Sequence, residues 1–221
     1  MVKNEILKKD IIDQLYWDSR VDASKVKVEI KDGEVFLEGR VPNYSAAEAA
    51  QEDTYAIPGV RIVNNNLTIA VPDIKESPTD KEIKSNIGDT FRSSSDLGNL
   101  SISIVVDGGV VTLSGTVEAF WQKLKAEELA NGVLGVTDVI NELMVVPTED
   151  IKDIAIAKDI ERALERNKQV KDQNIDVMVK DGVVTVSGQV TNWYAYRTAQ
   201  DIARYTQGVK EVINNLKIAN P

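Results

Sequence analysis

The sequence has no cysteine and no histidine. The first absence excludes disulfides, thiolate metal sites and a thiol nucleophile. The second excludes Ser-His-Asp chemistry, imidazole-bound zinc and the usual general base near neutral pH. Catalysis would have to rest on Asp, Glu, Lys or Tyr alone. No metal ligand set and no cofactor-binding loop is found: the glycines lie in hairpins and helix stops, not between a strand and a helix N-terminus, and the Asp-Gly pairs lack the spaced oxygens of a calcium loop. The expectation is a protein that is not an enzyme and carries no cofactor. No apolar run approaches the roughly 20 residues that a transmembrane segment needs. The first residues, Met1-Val2-Lys3-Asn4-Glu5, lead into mixed charge rather than the apolar stretch of a secretory signal. As it stands the chain therefore reads as cytoplasmic, or as periplasmic if a signal peptide was removed.

What is present is an ordinary globular balance, 43% hydrophobic and 28% charged over 221 residues, a length that suits one large domain or two to three small ones. The net charge of −9 repels phosphate backbones, so no nucleic-acid partner is expected. The charge is uneven: residues 1–73 carry −4, residues 74–147 carry −5 and residues 148–221 are neutral. If any part meets an anionic surface, the last third is the candidate.

The main feature is an internal repeat, present three times without a gap inside the units, offset by 76 residues and then by 73. Gly33, Gly109 and Gly182 coincide, as do Gly39, Gly115 and Gly188, and Gly59, Gly135 and Gly208. Asn65, Asn141 and Asn214 share one register, and Leu67, Leu143 and Leu216 another. Each unit opens with apolar residues four apart: Leu7, Ile11 and Leu15; Ile83, Ile87 and Phe91; Ile156, Ile160 and Leu164. That spacing predicts an amphipathic helix. Strict alternation follows (Val26, Val28, Ile30 and their equivalents), then a Gly-containing turn, then a second alternating stretch ending in Gly39-Arg40-Val41 or its relatives, which predicts a hairpin. The glycine of the second strand is expected to let the following helix approach the sheet. An alanine-rich helix is predicted over roughly 43–57, 119–133 and 192–206, stopped by Gly59, Gly135 and Gly208, before a last strand. The predicted fold class is α+β: three tandem α-β-β-α-β domains, over 1–72, 79–147 and 151–220, each with two helices on one face of a three-stranded mixed sheet.

The pattern Asp-Gly-x-Val-x-Leu-x-Gly-x-Val, an alanine-rich helix, then Gly-Val-x-x-Val-x-Asn-x-Leu, resembles the BON domain. Residues 181–190 (DGVVTVSGQV) with 208–216 (GVKEVINNL) carry the likeness best, and 109–117 with 135–143 nearly as well. The resemblance covers almost the whole chain. It implies a non-catalytic module of the bacterial envelope or of osmotic stress, with phospholipid membrane surface or an envelope protein as partner. The alternative that the family also implies is a cytoplasmic potassium-binding or protein-interaction module. Self-association is left open.

Two groups of residues are candidates for lipid or partner contact. Aromatics open the second helix: Tyr44 in the first copy, Phe120 and Trp121 in the second, Trp193, Tyr194 and Tyr196 in the third. Adjacent aromatics on a helix cannot both face the sheet, so one of each pair is expected at least partly exposed, against either a neighbouring unit or a headgroup zone. The first helix of the third copy carries Lys158, Arg162 and Arg166 four residues apart, opposite its apolar stripe. This basic stripe would suit anionic headgroups. Asp159, Glu161 and Glu165 interleave with it, so the competing reading is a solvated face with local ion pairs. The motif glycines Gly39, Gly115, Gly188, Gly59, Gly135 and Gly208 read as structural.

Overall fold

A computed structural model describes residues 2–31, 34–69 and 78–219, with side chains from residue 4 onward. The elements run in chain order as α1 (Val2–Trp17), β1 (Val26–Lys31), β2 (Glu34–Val41), α2 (Tyr44–Ala56) and β3 (Val63–Ile69); α3 (Asp80–Ser93), β4 (Ile102–Asp107), β5 (Val110–Val117), α4 (Phe120–Asn131) and β6 (Asp138–Val145); α5 (Asp153–Arg166), β7 (Asn174–Lys180), β8 (Val183–Val190), α6 (Trp193–Tyr205) and β9 (Glu211–Ile218). Three three-stranded sheets form, ordered β1-β2-β3, β4-β5-β6 and β7-β8-β9. The hairpin strands β1 and β2 pair antiparallel, whereas β2 and β3, joined through α2, pair parallel, and β7, β8 and β9 repeat that scheme. This is the α+β arrangement that the alternation of periods predicts. The first linker lies outside the described residues apart from Pro78, as do Asp32 and Gly33 of the first hairpin turn.

The backbone gathers into two compact units. The first comprises Met1–Gly98, Ile104–Leu113 and Glu127–Asn141; the second comprises Asn99–Ser103, Ser114–Ala126 and Glu142–Pro221.

In the first unit, Ile11 and Leu15 of α1 are buried against Val28, Val35 and Leu37 of the sheet and Ala49 and Ala50 of α2. Each such Ile or Leu contributes roughly 1.5–3 kcal/mol by leaving water. Small alanines let α2 lie close to the sheet, and Ala46, Ala47, Ala49 and Ala50 are all buried. Helix α2 starts at Tyr44 because Asn43, in extended conformation, accepts the Ala46 N–H on its side chain at 2.8 Å. Helix α3 starts with a reciprocal capping box between Thr79 and Glu82.

In the second unit, Ile156, Ile160 and Leu164 of α5 pack with Val184, Val186 and Val190 of β8 and with Ala195, Ala199 and Ala203 of α6. The alanines fall four apart, one narrow stripe that permits close helix packing. Asn192 caps α6 as Asn43 caps α2, accepting from Ala195 N at 2.9 Å. The second linker is held in place: Ile151 N–H reaches Glu149 O at 3.1 Å, and Gln207 donates to the Glu149 carboxylate at 3.4 Å.

Two sequence expectations change in their reasons. Gly39, Gly115 and Gly188 do not make room for the following helix. They have φ of +136°, +127° and +124°, and a Cβ on them would meet the backbone carbonyls of Lys25, Ser101 and Asn174 at 2.0, 2.8 and 2.0 Å. What comes close is the chain at the entry to the first hairpin strand, its first residue or the one before it. Gly59 and Gly208 do not end helices. Helices α2 and α6 end at Ala56 and Tyr205 on extended caps, Ile57 and Thr206, and the glycines follow at φ +99° and +85°, turning the chain toward the last strand. The shared asparagine Asn65 lies inside β3, and its amide donates to Ala47 O at 2.9 Å and to Gln51 Oε1 at 3.1 Å, tying the strand to α2.

Candidate functional site

The second unit holds most of the candidate residues. On α5 the burial of Ile156, Ile160 and Leu164 turns Lys158, Arg162 and Arg166 to solvent, and all three are exposed. Ile154 heads the same stripe and is 70% exposed. A full turn separates each of these residues from the next, so an isoleucine and three cations line one side of the helix. The interleaved acids do little to neutralise them. Arg162 lies 3.9 Å from Asp159, both well exposed, and neither Lys158 nor Arg166 forms an ion pair among the described residues. An exposed pair at that distance is worth at most a few tenths of a kcal/mol.

Helices α5 and α6 pack side by side. Their relative direction is fixed by two glutamines that follow α5: Gln169 Oε1 accepts from Thr198 Oγ1 at 2.6 Å, and Gln173 Oε1 accepts from Thr191 N at 2.9 Å. The last turn of α5, with Arg166, therefore sits at the end where α6 begins. There Trp193 stacks on Tyr196, ring centroids 5.1 Å apart and planes 14° from parallel, and Tyr196 packs on the core. Tyr194 points away and is 54% exposed. Trp193 is thus committed to the fold, and Tyr194 is the aromatic that α6 presents to solvent.

The aromatics of the second copy divide differently. Phe120, at the head of α4, packs against the core of the third repeat, and Trp121 is half-buried. Phe120 thus serves contact between neighbouring repeats. The most exposed aromatic escaped the sequence reading: Trp17, at the end of α1, is 85% exposed, with Tyr16 beside it also exposed.

An open pocket of about 730 Å³ lies where the second linker meets the third repeat, lined by Pro147, Glu149, Asp150, Lys152, Asp181 and Lys210 among others. Its charges are mixed. Among the described residues, no three or more acidic side chains are grouped to hold a metal ion.

In the first unit Asp53 of α2 is half-buried. Asp53 receives a 3.3 Å hydrogen bond from Gln14 on Oδ1, while its buried Oδ2 has no partner. Burial, and then the charge of Asp18, pushes its carboxyl up, against the opposing bond from Gln14. Asp18 goes the other way: the Arg20 guanidinium, donating at 2.6–3.1 Å, holds it at about 2. On the first sheet, Lys27 and Lys31 flank Glu29 at 2.5 and 2.6 Å and hold it at about 2.

Comparison with known proteins adds a family and relatives. The BON domain matches residues 3–71, 79–147 and 152–220. The chain is similar to the Osmotically-inducible protein Y of Escherichia coli (strain K12), 38% identical over 122 residues that make up 52% of this chain and 61% of the relative. It is also similar to the Outer membrane lipoprotein DolP of Haemophilus influenzae, 34% identical over 120 residues, 52% of this chain and 62% of the relative. The chain therefore spans about three fifths of the length of these relatives. Among solved structures, CdsD, a structural protein of the Type III secretion system of Chlamydia trachomatis, aligns over 97% of this chain and 92% of its own, at 16% identity and a TM-score of 0.27, too loose a superposition to bear on the fold.

Proposed function

The chain belongs to the BON domain family, which it carries three times in tandem, and from that premise we propose that it is a non-catalytic binding protein of the bacterial envelope, acting in osmotic stress, whose third repeat contacts phospholipid headgroups. The observation that carries this reading is the exposed side of α5, where Ile154 leads Lys158, Arg162 and Arg166, with Tyr194 at the adjoining end of α6. Each cation near an anionic leaflet is worth about 1 kcal/mol, and a tyrosine at the headgroup level adds an amphipathic anchor. The neutral third repeat can approach such a surface, while the net charges of −4 and −5 on the preceding parts turn those parts away from it. The relatives support the setting, one being named for osmotic induction and the other for the outer membrane.

The test is co-sedimentation with vesicles of pure phosphatidylcholine and of phosphatidylcholine with phosphatidylglycerol, at low and high salt. Binding to the anionic vesicles alone, lost at high salt and weakened by Lys158→Glu with Arg166→Glu, is the expected result. Absence of binding to both vesicle types, or binding unmoved by the double reversal, overturns the reading.

A further inference from the structure

The third sheet has one face on the core and one in solvent. Along β7, Ile175, Val177 and Val179 pack on the core, so Asp176, Met178 and Lys180 stand on the other face. On β9 the same alternation puts Glu211, Ile213, Asn215 and Lys217 there. Strand register arranges these residues in rows. Lys180, Val183 and Glu211 form one row; Met178, Thr185 and Ile213 form the next; Asp176, Ser187 and Asn215 the third; Asn174, Gln189 and Lys217 the last. Met178 is 70% exposed and Ile213 42%, two apolar side chains flanking a threonine in the same row.

We propose that this open face is a self-association surface, on which a second copy of the chain docks about a two-fold axis running along β8. Such an axis lays each β7 residue of one copy over the β9 residue of the same row in the other, and every pair occurs twice. Met178 then meets Ile213, and Lys180 meets Glu211. Asp176 meets Asn215 and Asn174 meets Lys217, so no like charges are opposed. Apolar contact in the centre with opposite charges beside it is the complementarity that a self-docking sheet face needs.

The other two repeats lack this match. In the second, Asp107 and Asp138 hold the register positions of Lys180 and Glu211, and the same axis would set acid against acid. In the first, Glu29 and Asn64 hold the positions of Met178 and Ile213, and Glu29 is already paired with Lys27 and Lys31.

Strand spacing near 4.8 Å and a rise near 3.4 Å per residue give this face about 400 Å². Doubled, that stays below the roughly 1,200 Å² of a stable interface, so the dimer is weak and salt-sensitive.

Sedimentation equilibrium of the full chain, over roughly 10 μM to 1 mM at low salt, tests it. A monomer–dimer equilibrium is expected. Lys180→Glu and Glu211→Lys should each raise Kd about tenfold or more, since each reversal opposes like charges twice per dimer, and the double exchange should restore it. Met178→Ser should weaken the dimer without moving the thermal transition, because the side chain is exposed. As the chain has no cysteine, Thr185→Cys places a single thiol near the axis; with the two backbones about 10 Å apart and both side chains turned toward the axis, the sulfurs come within reach of a disulfide, and mild oxidation should yield covalent dimer. A chain monomeric throughout, a dimer indifferent to either reversal, or one that the double exchange fails to restore overturns the proposal.

Discussion

The carboxylate of Asp153, in the first turn of α5, accepts the backbone N–H groups of Asp181 and Gly182 at 2.8 and 2.9 Å. Both turn residues have positive φ, +55° and +81°, the conformation of a tight hairpin turn, and Asp153 holds the donors that such a turn leaves outside the ladder. Asp80 does the same for Gly108 and Gly109 at 2.9 and 3.0 Å. Helix and hairpin are thereby fastened at one point in two repeats. Asp153→Ala should lower stability by about 1–2 kcal/mol, as charge-assisted bonds to backbone do. Asp153→Asn should lose about half of that, because its single acceptor oxygen serves one donor well. Urea denaturation measures both, and equal midpoints for Asn and wild type would mean that water serves the turn equally.

Glycine should be indispensable at Gly39 and Gly188, less so at Gly115. A Cβ would lie 2.0 Å from a backbone carbonyl oxygen at the first two positions and 2.8 Å at the third, with positive φ at all three. Gly188→Ala should cost more than about 3 kcal/mol and Gly115→Ala noticeably less. Soluble yield and urea midpoints rank them; a ranking with Gly115 most sensitive would contradict the contact geometry.

Opposite shifts at Asp53 and Asp18 give the first unit a two-sided pH dependence. Asp53 is raised, so its contribution is full below its ordinary value of 3.8 and is lost as pH rises through the raised value. Asp18 is depressed, so its contribution is present above 3.8 and lost as pH falls toward about 2. Stability should rise slightly on acidification from neutrality toward pH about 4 and fall below it. Asp53→Asn should stabilise at neutral pH by about 0.5 kcal/mol, small because the half-exposed site is screened by solvent, and should leave only the acid-side loss. Urea midpoints across that range for both proteins decide it.

Trp193 and Tyr194 should separate stability from surface contact. Trp193→Ala removes the stack on Tyr196 and should cost about 1–3 kcal/mol, whereas Tyr194→Ala should stay within about 0.5 kcal/mol. In vesicle binding the order should reverse. Thermal unfolding beside co-sedimentation reads both, and a Tyr194→Ala protein that binds like wild type removes that residue from the contact.

The sequence is most legible where one face of an element is buried. The stripes Ile11/Leu15, Ile83/Ile87 and Ile156/Ile160 lie in the cores because helix period maps directly onto burial. The same arithmetic excludes Trp17 from the core, since two residues beyond Leu15 lie about 200° round the helix. What periodicity does not carry is the far side of each contact. Repetition marks Gly39 and Gly188, yet only the strand register reveals the carbonyls of Lys25 and Asn174 as their neighbours. The clasp of Asp80 and Asp153 recurs between those two repeats, but the first has Asn4 at that place, which hides the pattern. Which of Phe120 and Trp121 meets the next repeat depends on tertiary packing that a single helix does not encode.

The last strand of each sheet lies at an edge, and its outward amides are partly spent at home. Leu67 N–H goes to the side chain of Asn65 at 3.2 Å, Val63 N–H to the Tyr55 hydroxyl at 3.3 Å, and Leu216 N–H to Asn214 at 3.0 Å. An edge with its donors taken is a poor template for another strand. In a chain that repeats one strand pattern three times, the nearest available intruder is its own other copies, tethered at high local concentration during synthesis. These bonds therefore act during folding as well as after it, discouraging one repeat from completing its sheet with a strand borrowed from the next.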